Sequence, residues 1–173
     1  SMQLLLQQAK DAKVVSRLTT VLLAIIKTDT LSARGARNLT QGELGLLNGF
    51  DFNANSPLST TLSAPYSVGY DRATGVVGLE LEAYNPQVQI AAPTGATHYK
   101  LSCGASELDF EEQTSLFKSV TTGILPYQNS EVAATTLEIT LTAGSTLQIV
   151  HALSIEFYQE VNGTMYPLQN GAF

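Results

Sequence analysis

Residues 155–171 read IEFYQEVNGTMYPLQNG, and this stretch decides the fold class. Apolar and polar side chains alternate on both sides of Asn162-Gly163. Both residues of an Asn-Gly pair accept positive φ, which the two-residue turn of a twisted hairpin requires, so two antiparallel strands joined at 162–163 are predicted. Phe157, Val161 and Met165 are the candidate core positions, and Tyr158 and Tyr166 add aromatic mass across the strands.

The same period of two runs upstream to about Leu58. TLSAPYSVGY and VVGLELEAY flank DRATG, a turn where Gly75 supplies a left-handed residue. Leu79 and Leu81 face one way, Glu80 and Glu82 the other. THYKLSCGASELDF gives one long strand or two short ones broken at Gly104, and NPQVQIAAPTGA reads as loop with a short extended piece. EEQTSLFKSVTTGILPY suits a strand, and ATTLEITLTAG alternates through Leu137, Ile139 and Leu141. Several short strands with turn residues between them, and no alternation of strand with helix, predict an antiparallel β-sandwich, immunoglobulin-like or a similar Greek key.

The N-terminal part has a different period. Leu4, Leu5, Val14, Val15, Leu18, Leu22, Ile25 and Ile26 recur at helical spacing, so residues 3–27 read as an amphipathic helix. Its second half is apolar nearly all round, which predicts burial against the rest of the fold. Thr40 and Glu43 have capping-box spacing, so a short helix is expected near 41–47. The chain therefore divides into a helical segment and loop over 1–57 and an antiparallel β-sandwich over 58–173, mainly β with an N-terminal α-helix.

Hydrophobic residues make up 44% of the chain, enough to close a core, and charged residues only 14%. The net charge of −6 is uneven. Residues 1–37 carry six bases and two acids, a net +4, while the rest carries three bases and thirteen acids, a net −10. Such asymmetry marks a basic segment that meets an acidic partner, its own fold or a neighbouring copy. The longest apolar run, VLLAII at 21–26, is far short of the about 20 residues a bilayer needs. SMQLLLQQ carries no basic leader pattern, so no signal peptide is read there, and the compartment stays open.

Reactive chemistry is sparse. One cysteine, Cys103, excludes an internal disulfide, and its apolar strand predicts a buried, inert thiol. His98 and Cys103 lie on one strand at odd spacing and point to opposite faces, against a catalytic pair. His151 reads as a half-buried strand histidine, and neither histidine has neighbours at zinc-ligand spacing. Glu80 with Glu82 reads as a solvated strand face, and ELDFEE at 107–112 as a patch keeping an edge soluble. No catalytic, cofactor or metal site is expected. The candidate anion or partner contact is Arg34, Arg37 and Asn38, in a turn after the helix. Tyr66, Tyr70, Tyr84, Tyr99 and Tyr127 are candidates for a sugar-binding face, although tyrosines in strands more often belong to the core or rim.

The stretches VSRLTTVLLAIIKTDTLSARGARNLTQGELGLLNGFDFN, APYSVGYDRATG, IAAPTGATHYKL, ELDFE and LSIEFYQEVNGTMYPLQNGA resemble an uncharacterised bacterial domain family. The resemblance covers nearly the whole chain. It implies no activity, because the family has none assigned. Family members resemble longer proteins, with a glycine-rich basic extension before the helix and a further apolar strand after the C-terminal motif; this chain departs from them at both ends.

The expected function is a non-catalytic structural or protein-interaction module, a subunit of a self-assembling bacterial or phage-related structure. Its expected partner is protein, including further copies of itself. Two alternatives stand beside it: a nucleic-acid-associated protein using the basic N-terminal segment, and a carbohydrate-binding sandwich.

Overall fold

The computed structural model describes residues 12–168. Helix α1 (Val14–Thr28) comes first, then a single 3-10 turn (Leu44–Leu47) and a one-turn helix (Leu58–Thr61). Strands β1 (Tyr66–Asp71) and β2 (Val76–Leu81) precede another one-turn helix (Pro86–Gln89). The remaining strands are β3 (His98–Asp109), β4 (Thr114–Thr121), β5 (Leu125–Pro126), β6 (Thr135–Thr140), β7 (Gln148–Val161) and β8 (Thr164–Pro167). The start of the expected helix, residues 3–11, lies outside the described residues.

Two antiparallel sheets pack face to face. One has the order β1-β2-β6; the other runs β4-β3-β7-β8, with β5 also paired to β3. After β4 and β5 the chain crosses to pair β6 with β2, then crosses back to pair β7 with β3. These two crossings make the Greek-key connection of immunoglobulin-like sandwiches. Val77, Leu79 and Leu81 of β2, with Leu137 and Ile139 of β6, face Tyr99, Leu101, Cys103, Ala105, Ile155 and Phe157 of β3 and β7. Each set recurs every second residue, so one face of each strand fills the core. At one flank the Lys118 ammonium of β4 donates to the Thr140 carbonyl of β6, tying the sheets together.

The DRATG and Asn-Gly turns form as read, with Gly75 at φ +77°, Asn162 at +51° and Gly163 at +79°. Of the two readings of THYKLSCGASELDF, the long strand forms: β3 is continuous through Gly104, which pairs with Ser119 on one side and Ala152 on the other. Three expectations differ. The 85–91 loop contains a helical turn, because the Asn85 side chain accepts the Gln87 N–H and Pro86 fixes the first helical φ. The 41–47 helix is reduced to the 3-10 turn, and no side chain caps it. The Glu43 N–H instead donates to Thr28 Oγ1 at 2.7 Å, which anchors the turn on α1. Finally, Phe157 is buried in the core, but Val161 is 45% exposed.

Candidate interaction site

Helix α1 divides lengthwise. Val14 and Ile25 are buried, and Arg17 donates to the Asp51 carbonyl at 2.7 Å while lying over the Phe50 ring. Phe50 in turn meets Phe52 edge-on at 5.2 Å, and the Asp51 carboxylate accepts the Leu58 N–H at 3.0 Å. Gly42 closes against the helix so tightly that an added Cβ would stand 2.5 Å from the Ile25 carbonyl oxygen. The opposite face is exposed, where burial was expected: Val15 is 74% and Leu23 52% accessible, with Ser16, Thr19, Thr20 and Ala24 beside them. Only part of the VLLAII run is covered, Ile25 fully and Val21, Leu22 and Ile26 by half. Thr19 and Thr20 turn their hydroxyls onto the carbonyls of Val15 and Ser16, at 2.8 and 3.0 Å. What they present outward is therefore methyl, and the exposed face is drier than its composition implies.

The loop after α1 is organised by one carboxylate. Asp29 is fully buried, and its oxygens accept the N–H groups of Leu31 and Ser32, both at 2.9 Å, and of Asn38 at 3.2 Å. Hydrogen bonds from the Ser32 backbone and hydroxyl, helped by Asn38 and Leu31 against the opposing effect of burial, hold its pKa down at about 2. Asn38 is occupied twice in this frame, since its side-chain oxygen also accepts the Gln41 N–H. Of the three candidate contacts, then, Asn38 builds the loop, while Arg34 and Arg37 stand exposed on it. Leu31, 80% exposed, stands in the same loop. Asp29 has a folded-state pKa below its ordinary 3.8, so its contribution to stability is complete above pH 3.8 and disappears as pH falls toward about 2. In an acid titration followed by circular dichroism, Asp29→Asn is expected to be less stable at neutral pH and to lose less of its remaining stability through that window than the wild type.

The described residues contain one close pair of reactive type, and it was not legible in the sequence. His151 Nε2 lies 2.7 Å from Cys103 Sγ. The register sets Cys103 opposite Leu153 and Ala105 opposite His151, so the two side chains meet diagonally on the core face. Burial pushes the thiol up to about 11 and pulls the imidazole below its ordinary value. Both shifts favour a neutral S–H donating to a neutral ring over thiolate and imidazolium, the opposite of an activated nucleophile. His98 is engaged elsewhere, its Nδ1 2.9 Å from Thr97 Oγ1.

The acidic stretch 107–112 divides among several roles. Glu107 is buried, and its carboxylate accepts the Ser145 hydroxyl and the Thr142 N–H, bonds that hold its pKa below the ordinary value. Asp109 caps the following turn by accepting the N–H groups of Glu111 and Glu112 at 2.9 and 3.0 Å. Glu111 and Glu112 alone remain as exposed charge there. Three of the five candidate sugar-face tyrosines also turn inward. Tyr84 and Tyr99 are buried with hydroxyls 2.7 Å apart, and Tyr127 stacks edge-on against Tyr99.

A shallow groove of about 340 Å³ lies where β1 begins, β2 ends and β6 begins. Glu80, Glu82, Tyr66 and Thr135 line it. Tyr66 is 42% exposed and Val68, two residues along the same edge strand, 49%. No three His, Cys, Asp or Glu side chains gather as metal ligands among the described residues, and no helix there is long and apolar enough to cross a membrane. No family model matches the chain, nor does any curated protein or solved structure.

Proposed function

We propose that the chain is a structural, self-associating protein-interaction module whose docking surface is the outward face of α1 with the loop that follows it. The observation that carries this reading is the exposure of Val15, Leu23 and Leu31 on one N-terminal unit. A helix face meant for water carries charges at its exposed positions. Here the exposed positions are Val15, Ser16, Thr19, Thr20, Leu23 and Ala24, with Lys27 at the end. Contiguous apolar surface bordered by charge is the mark of a contact surface. The neutral Cys103–His151 pair gives no opposing sign of chemistry. Sedimentation velocity tests the reading. The wild-type chain is expected to associate reversibly as concentration rises, and Leu23→Glu to remain monomeric with unchanged circular dichroism. A wild-type chain that stays monomeric throughout contradicts it. The exposed Arg34 and Arg37 favour nucleic acid as the second reading, and a gel shift at low salt that weakens with added salt would support that one instead.

A further inference from the structure

We propose that copies of this chain associate head to tail, the basic end of the α1 face seating in the acidic groove of the next copy. This rests on the reading that the α1 face docks protein, and adds which copy's surface receives it.

The charges carry the assignment. All three bases of the sandwich are already engaged within it. Arg72 donates to the carbonyls of Ser145 and Leu147 and lies over the Tyr70 ring. Lys100 pairs with Glu156 at 2.9 Å, and Lys118 donates to the Thr140 carbonyl. Among the described residues, Lys27, Arg34 and Arg37 have no acid paired to them, and Glu43, Glu80, Glu82, Glu111, Glu112, Glu131 and Glu138 have no base; of these acids Glu80 and Glu82 line the groove together. Of the two carboxylates between α1 and the 3-10 turn, Asp29 is buried on its own backbone N–H groups, and Glu43 is exposed without an ion pair to those cations. Two complementary sets of unpaired charge therefore stand exposed on one chain without meeting within it.

Each set has an apolar companion. On the donor, Leu31 lies between Lys27 and Arg34 in the sequence and is 80% exposed. On the acceptor, Tyr66 stands at the groove with half-exposed Val68 beyond it on an edge strand. An exposed apolar anchor rimmed by charge, facing an aromatic wall rimmed by the opposite charge, is the arrangement that gives an interface both affinity and register. Donor and acceptor are different patches, so the contact is heterologous. It repeats from copy to copy, ending in a ring if the rotation closes and in a filament if it does not.

That asymmetry supplies the test. A donor variant, Leu31→Glu with Arg37→Glu, keeps its groove intact. An acceptor variant, Glu80→Gln with Glu82→Gln, keeps its α1 face intact. All four positions are exposed or loop residues, and circular dichroism checks that each variant folds. Each variant alone is expected to associate roughly tenfold or more weakly than wild type in sedimentation velocity. Mixed in equal amounts, the two should form a heterodimer and nothing larger, because one good donor meets one good acceptor and no further interface remains. Wild-type association should also weaken with added salt. If wild type associates but the mixture remains monomeric, or the acceptor variant associates like wild type, the groove is not the seat and the head-to-tail assignment falls, while the docking reading stands; a donor variant that associates like wild type overturns the head-to-tail assignment and removes the loop from the docking surface as well. If wild type is monomeric, both fall. Association that disappears on nuclease treatment assigns the basic loop to nucleic acid and overturns the proposal.

Discussion

Phe157→Ala is expected to destabilise the chain by roughly 3–5 kcal/mol, the range for removing a large aromatic side chain from a packed core. Phe157 is 1% exposed, lies on β7 opposite Tyr99, and belongs to the cluster that joins both sheets. The cavity left behind is bounded by strands locked in an eleven-residue register with β3, so the surroundings cannot collapse into it. Since domains of this size are stable by about 5–15 kcal/mol, one substitution consumes a large part of the margin. Urea unfolding should show a lower midpoint with an unchanged slope, because the surface exposed on unfolding is nearly the same. Val161→Ala makes the contrast. That residue was expected in the core by its alternation with Phe157, yet it is 45% exposed, and its truncation should cost under about 0.5 kcal/mol.

Gly75→Ala is the second large effect, at roughly 2–4 kcal/mol. Two independent causes add. At φ +77° any Cβ is strained, by about 1–2 kcal/mol. The Cβ would also stand 2.8 Å from the Leu141 carbonyl oxygen and 2.9 Å from the Thr142 carbonyl carbon, backbone atoms that cannot step aside as a flexible side chain would. Nor can the turn shift freely, since the Gly75 N–H bonds Asp71 and its carbonyl accepts from Leu141. Gly163→Ala separates the two causes. Gly163 has the same sign of φ, +79°, with nothing within 4 Å of an added Cβ, so only the strain should appear in its chemical denaturation. Equal losses at the two glycines would show that the close approach at Leu141 contributes nothing.

Local patterns were legible and long-range register was not. DRATG and Asn162-Gly163 dictate their turns within a few residues, and β2 and β6 declare their buried faces by alternation alone. Val161 was misread because alternation says which way a side chain points and not whether anything stands opposite. β7 runs for fourteen residues against six in β6, so its end outreaches the facing sheet. The Cys103–His151 contact, the burial of Glu107 under the 142–145 turn and the inward tyrosines all depend on pairing between segments far apart in the chain. Periodicity carries no information about that pairing. On α1 the apolar pattern predicts the helix seen over Val14–Thr28; burial of its second half against the rest of the fold was expected, and in the structure the outer face stands open. Arg34 and Arg37 stand exposed in the loop after α1, but the buried Asp29 that shapes that loop gave no signal beyond a lone acid after a helix.

The apolar face of α1 stands open on the single chain, and in the proposed assembly another copy covers it. Thiol labelling of Leu23→Cys measures this directly, with Cys103 as a buried internal control. Rapid modification of the new cysteine is expected in dilute protein, slow modification in concentrated protein, and an unmodified Cys103 in both. Slow labelling in dilute protein, or labelling equally fast at every concentration, would contradict it.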